Sequence, residues 1–256
     1  ASNIQTLCGD TSGQTREEQL RTVYENVSAA CRIAQSAAAE AEGRHGSGTD
    51  GQEAETDGSG TGMGRQIYIA GDIGPVPEQG GDGEDESVIE EYKAMAKAHL
   101  DAGLCLIWFE TFSDLERILP VAEWIRSVSD AFIMTGFSVN MYGYTKTGVS
   151  MGELLRTAKE SGLIDGVGFN CGVGPSHLGR LLKRQDLGDM IVYAAPNAGY
   201  AERIKNRMVY RDNSAYFCGA MEEIADLGVN IIGGCCGTSP SYIKKLAEAV
   251  GHRTPA

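Results

Sequence analysis

Basic residues are in short supply. The chain has 22 Lys and Arg against 35 Asp and Glu, a formal charge of −13 at neutral pH. Such a surface repels phosphate backbones and anionic headgroups, which argues against a nucleic-acid or membrane-surface partner. Long apolar runs are lacking too, and the longest fall far short of the roughly 20 residues that span a bilayer. No G-x-x-x-x-G-K-[ST] occurs and no G-x-G-x-x-G follows a strand pattern, so the nucleotide-binding folds lack their phosphate loops. Cysteine is present without a framework: seven residues (Cys8, Cys31, Cys105, Cys171, Cys218, Cys235, Cys236), an odd number with irregular spacing and no C-x-x-C. No signal peptide precedes them, so reduced thiols in a cytoplasm are the expectation.

What is present reads as one domain over 1–256, since 256 residues can bury a full core and match the usual size of a single α/β barrel. Residues 43–64, "GRHGSGTDGQEAETDGSGTGMG", are rich in Gly, Ser, Thr and acidic residues and have no apolar periodicity, which predicts a mobile loop. Before it, residues 15–42 place Leu20, Val23, Val27, Ala30 and Ile33 or Ala34 at helical spacing. After it, six short apolar runs (66–75, 104–111, 131–139, 166–171, 190–197, 229–236) alternate with helical patterns. Continuous apolar strands separated by helices imply a parallel sheet covered by helices.

Glu110, Asn170, Cys171, Asn197, Cys235 and Cys236 fall at the carboxyl ends of different predicted strands. In a (β/α)8 barrel those ends converge on one face, whereas an open sheet spreads them along a line. The vicinal pair Cys235-Cys236 sits in "GGCCG", where glycines suit close backbone approach more than packing. Adjacent cysteines rarely bridge each other. Two readings stand: thiolates sharing a metal, or one reactive thiol with an inert neighbour. With Cys171 two strands away, three sulfurs can approach one point and leave a fourth position open, a set that suits a catalytic zinc. Cys8, Cys31, Cys105 and Cys218 are expected in the core, where free cysteine behaves as a small hydrophobe. A cysteine-nucleophile hydrolase or oxidoreductase needs a basic partner, and none of the four histidines (His45, His99, His177, His252) ends a predicted strand. His99 and His177 read as ordinary helix positions.

"GFNC", "PNAG" and "GGCCGTSPSYI", in that order and spacing, resemble the homocysteine S-methyltransferase family. "IAGDIGP" and "IWFETFSDLE" look like that family's third and fourth strands, and the resemblance covers about 66–249. It implies zinc on Cys171, Cys235 and Cys236, with Asn197 similar to an asparagine that supplies an oxygen ligand in some members. It implies homocysteine as the methyl acceptor, giving methionine, with Glu110 on the amino group; Asn170 and Asn3 are read with Glu110 as substrate-binding, the Asn170 amide orienting Cys171 or accepting from a neighbouring loop, and Asn3 and Gln5 lining the pocket edge. Against the family pattern the chain begins near the end of the second strand. It is therefore expected as a TIM (β/α)8 barrel without the first strand and part of the second, leaving two strand edges open. Residues 195–227, with a Tyr-containing loop before the last helices, resemble the methionine-synthase branch. That favours a methyl-corrinoid donor, with cobalamin brought by a partner protein. S-methylmethionine, betaine and S-adenosylmethionine are the alternative donors, and a non-catalytic zinc-binding relative is the alternative role.

Overall fold

The computed structural model describes residues 13–46, 67–76 and 84–251. Its elements are α1 (Arg16–Gly46), β1 (Gly71–Ile73), α2 (Glu84–Asp101), β2 (Leu106–Phe112), α3 (Leu119–Val128), β3 (Phe132–Phe137), α4 (Met151–Ser161), β4 (Gly166–Asn170), α5 (Pro175–Leu182), β5 (Ile191–Ala195), β6 (Glu202–Ile204), β7 (Arg207–Val209), α6 (Ser214–Ala225), β8 (Ile231–Ile232) and α7 (Pro240–Val250). All six predicted strands are present. They form one parallel sheet in the order β1-β2-β3-β4-β5-β8. An order that runs steadily along the chain, with a helix at each crossover, is that of a barrel and not of a doubly wound sheet. Among the described residues β1 and β8 do not pair with each other, so the barrel is open between them.

Strand alternation divides the sheet into two faces. Ile73, Ile107, Phe109, Ile133, Phe137, Val167, Phe169, Val192 and Ala194 join the helices in the main hydrophobic core. The other face curls on itself. Strands β2 and β5 stand three steps apart, roughly 14 Å across a flat sheet, yet the rings of Trp108 and Tyr193 meet edge to face at 4.5 Å. Only a concave inner face brings them together.

Three details differ from the sequence patterns. Helix α1 buries Val23 and Cys31, while Ala30 is exposed and Ile33 is 71% exposed. Its inward stripe therefore runs at four-residue spacing through 23, 27 and 31, and Gln35 continues it by donating to the Ala102 carbonyl. The helix extends to Gly46, and the remainder of the predicted mobile loop, 47–64, lies outside the described residues. The Tyr-containing loop holds an antiparallel hairpin, β6 and β7, closed by Lys205 and Asn206 at φ 46° and 63°. Positive φ at both central residues is the hairpin turn that matches strand twist.

Candidate functional site

The site forms where three strand ends meet. Cys171 directly follows β4 and its N–H still donates to the Ala195 carbonyl at 3.2 Å. Cys171 and Gly172 are both left-handed, at φ 57° and 66°, which turns the chain sharply off the strand. Position 172 requires glycine: a Cβ there would lie 2.1 Å from the Val139 carbonyl oxygen.

The segment Pro196–Ala198 splints the two cysteine loops. The Asn197 N–H donates to the Val173 carbonyl at 3.1 Å, which ties it to the loop that carries Cys171. The N–H of Cys235 donates to the Pro196 carbonyl at 2.9 Å, and the Ala198 N–H donates to the Cys236 carbonyl at 2.9 Å. Asn197 Oδ1 accepts from the Cys236 N–H at 3.2 Å. Gly237, at φ 81°, lets the Tyr210 ring lie against the turn, for a Cβ there would fall 2.3 Å from that ring.

The sulfurs of Cys171, Cys235 and Cys236 lie within 4.8 Å of one another, with 3.5 Å between Cys171 and Cys236 and 4.0 Å between Cys235 and Cys236. Three thiolates on a tetrahedral zinc at about 2.3 Å would stand about 3.8 Å apart. The donor set and its spacing therefore fit a metal ion. Cys236 is exposed and its two partners are half-buried, which opens the cluster to solvent on one side.

Electrostatics divide the cluster. The Cys235 thiol is held down to about 6, chiefly by its hydrogen bond with Cys171 and further by the Asn170 amide, while burial and the Glu110 carboxylate oppose that shift. Cys171 moves the other way: the same hydrogen bond keeps its proton, with burial and the Cys235 charge adding. Three close sulfurs cannot all ionise without a cation, and a metal ion is what would let all three act as thiolates.

Glu110 closes the regular part of β2, and strand alternation puts it on the same face as Trp108. A register shift between Phe109 and Phe112 follows, with Thr111 at φ 69°. That bulge turns Thr111 inward as well, where its hydroxyl accepts from Asn170 Nδ2 at 2.6 Å. Asn170 is 1% exposed, at the end of β4. Asn3 and Gln5 lie outside the described residues, as does Cys8. Cys31 and Cys218 are buried as expected, but Cys105 is exposed, because it lies just before β2 starts and outside the covered part of the sheet. His177 is bonded to the Tyr200 hydroxyl at 2.7 Å, and His99 is buried.

Three further residues near the site were not singled out by the sequence. Asp72, register partner of Trp108, has its carboxyl pushed up to about 6, first by removal from water and then by Glu110, although part of its side chain meets solvent. Tyr193 is 1% exposed and donates to Asn170 Oδ1 at 3.2 Å. Tyr210 has its phenol raised by burial and by the charge on Cys236.

Comparison with known proteins gives the family and the fold. The model of the homocysteine S-methyltransferase family matches residues 5–250. The chain is 26% identical over 200 residues to methionine synthase of Mycobacterium tuberculosis, covering 73% of this chain and 16% of that protein. It is 27% identical over 212 residues to homocysteine S-methyltransferase 2 of Saccharomyces cerevisiae, covering 75% of this chain and 65% of that one. It thus spans less than two thirds of either relative. Among solved structures, the apo form of the Escherichia coli homocysteine methyltransferase MmuM superposes with a TM-score of 0.62 at 18% identity, over 94% of this chain and 78% of that one. The metallated form gives 0.62 at 17% identity, over 93% and 73%. At such identity the superpositions speak for the fold.

Proposed function

The chain belongs to the homocysteine S-methyltransferase family, and from that premise we propose that it transfers a methyl group to the thiol of homocysteine, giving methionine, at a zinc site formed by Cys171, Cys235 and Cys236. The observation that carries this reading is the convergence of three sulfurs within 4.8 Å at the carboxyl ends of β4 and β8. Zinc held there would favour the thiolate form of a thiol in the fourth position.

The chain's own residues account for the rest. Glu110, whose charge acts on the Cys235 thiol, would pair with the substrate ammonium and hold the amino acid with its thiol toward the cysteines. Asn197 keeps the Cys236 loop in place through the Cys236 N–H. The same Asn197 Oδ1 would be the oxygen donor to a metal held by the three cysteines in the absence of substrate. Trp108 and Tyr193 meet edge to face on the same inner face of the sheet as Glu110 and Asn170. The thiol proton leaves to solvent. The sulfur lone pair then attacks the methyl carbon; the C–S bond forms as the methyl–donor bond breaks, and the donor keeps that electron pair.

The donor we favour is a methyl-corrinoid brought by a partner protein, a choice supported by the likeness to methionine synthase. S-methylmethionine, betaine and S-adenosylmethionine would serve the same chemistry. Three clustered free thiols suit a reducing compartment, and we place the protein in the cytoplasm. No helix among the described residues is long and apolar enough to cross a membrane.

Two measurements test the reading. X-ray absorption at the zinc edge of the metal-loaded protein should show mainly sulfur near ~2.3 Å with one lighter neighbour; a shell of nitrogen and oxygen alone would exclude the three-cysteine site. Glu110→Gln should keep full zinc content yet weaken homocysteine binding by about 1.5–3 kcal/mol, the range for a hydrogen bond to a charged group. Simple thiols without an amino group should not respond, and equal losses for both kinds of thiol would assign Glu110 to structural support.

A further inference from the structure

We propose that Asn170 is a positioning residue for the metal ligand Cys235, locked by Thr111 and Tyr193 so that one amide N–H is directed at the Cys235 sulfur; this rests on the zinc reading above. The orientation of the amide follows from its partners. Its Oδ1 accepts from the Thr111 backbone N–H at 3.2 Å and from the Tyr193 hydroxyl at 3.2 Å. A backbone N–H can only donate, so the atom facing it must be the oxygen, and the NH2 group must point the other way. There it meets the Thr111 hydroxyl at 2.6 Å and Cys235 Sγ at 3.9 Å. Both lone-pair positions and both N–H groups of this buried amide are thereby engaged within the protein. None is left for substrate, which moves Asn170 from the substrate to the metal.

The inner face is cleared for this arrangement. A Cβ at Gly136 would lie 1.6 Å from the Tyr193 hydroxyl and 2.8 Å from Asn170 Oδ1, and one at Gly168 would lie 2.2 Å from the Tyr193 ring. A role in packing alone would explain the vacated space and the ring. It would not explain an amide whose free N–H ends on a metal-ligating sulfur. An N–H donated to thiolate withdraws electron density from sulfur, which tunes its donation to the metal and fixes its direction, as outer partners do for metal ligands generally. Because the same amide brackets Thr111, the residue after Glu110, it also joins the substrate-binding end of β2 to the metal ligand.

The test uses the cobalt(II)-substituted protein, whose sulfur-to-cobalt charge-transfer band reports electron density on the thiolates, together with zinc affinity from chelator competition. Asn170→Ala should move the band to longer wavelength and lower zinc affinity by about 10–100-fold. Tyr193→Phe, which keeps the ring and removes only the hydroxyl, should do the same to a smaller degree. Thr111→Ser should leave both readouts at the parent values, whereas Thr111→Val should shift them. If Asn170→Ala does not fold, Asn170→Asp replaces it with the band as the readout: similar in shape and without N–H donors, it should also move the band to longer wavelength. A parent band position and parent affinity in folded Asn170→Ala, or a parent band position in Asn170→Asp where Ala fails, would overturn the proposal while leaving the zinc reading intact. A parent protein that takes up neither cobalt nor zinc would overturn both.

Discussion

Gly136 and Cys236 sit at two ends of the same site and should fail in opposite ways. Gly136 faces the closed inner surface, where the added methyl of Gly136→Ala would collide with the Tyr193 hydroxyl and the Asn170 oxygen. Tyr193 is 1% exposed and cannot swing aside, so the collision becomes strain. The expected cost is about 1–3 kcal/mol, as for other overpacked interiors, read from the urea midpoint of the metal-free protein. Cys236 is exposed at the mouth and packs into no core. Cys236→Ala should leave the metal-free stability within about 0.5 kcal/mol of the parent, yet the protein should no longer retain its equivalent of zinc through gel filtration. Loss of stability in Cys236→Ala, or an unchanged midpoint in Gly136→Ala, would contradict the division between a packed floor and an open metal rim. The contrast also shows what single residues disclose. Cys236 announces itself by its neighbour and its glycines. Gly136 has meaning only once β3 and β5 face each other across the cavity.

The junction of α1, α2 and β1 carries a different kind of dependence. His99, near the end of α2, is 7% exposed. Its Nδ1 lies 3.3 Å from the Cys31 sulfur on α1, and its Nε2 lies 3.4 Å from the Asp72 carbonyl on β1. A Cβ on Gly71 would be 2.5 Å from the imidazole, so the ring fills the gap between helix and strand. Burial is the largest influence on its pKa and lowers it from 6.5, with the Asp72 carbonyl opposing. The unfolded chain therefore takes up a proton as pH falls below 6.5 while the native state resists it. Stability is full above 6.5 and declines as pH drops toward the lowered native value, with a slope of at most about 1.4 kcal/mol per pH unit. His99→Gln should flatten the dependence of the thermal midpoint on pH in that interval relative to the parent; identical slopes would show that His99 takes up its proton equally in the folded and unfolded states. This junction was only half legible in the sequence. Helical spacing found α1 and α2, but Ile33 competed with Cys31 for the inward face, and the tertiary contact with His99 decided between them. The six parallel strands were legible because fully covered strands are written as continuous apolar runs. The β6–β7 hairpin was not, because all six of its strand residues are exposed and its turn is Lys205-Asn206, without the glycine that marks such turns. The three cysteines were visible as strand-end residues. The Thr111–Asn170–Tyr193 bracket was not, since it depends on a bulge in β2 and on which residues three strands apart face each other.

At the scale of the whole molecule the open question is which methyl donor reaches the sulfurs. Among the described residues the cluster opens through Cys236, beside Tyr210 and the loops that follow β5. Under the proposed reaction a donor would approach from the carboxyl-end face of the barrel, and selection among donors would belong to the loops around that mouth and not to the cysteines. A nucleophilic thiolate attacks any methyl group held in line with it, so the proposed zinc chemistry alone would not distinguish a corrinoid from a sulfonium or an ammonium donor. The likeness to methionine synthase makes methylcobalamin the expected donor. Protein and homocysteine incubated separately with methylcobalamin, S-methylmethionine, betaine and S-adenosylmethionine, with methionine quantified by mass spectrometry, resolve the choice. Methionine from methylcobalamin alone, abolished by a chelator and by Cys236→Ala, is the expected result. A small signal from the free cofactor counts in its favour only under those two controls, because a partner protein that presents the corrinoid in line would raise the rate through positioning. Greater turnover with one of the other three donors would keep the methyl transfer and replace the donor. Formation of no methionine from any of the four, by protein that holds its zinc and binds homocysteine, would identify a relative that has kept the site and lost the reaction.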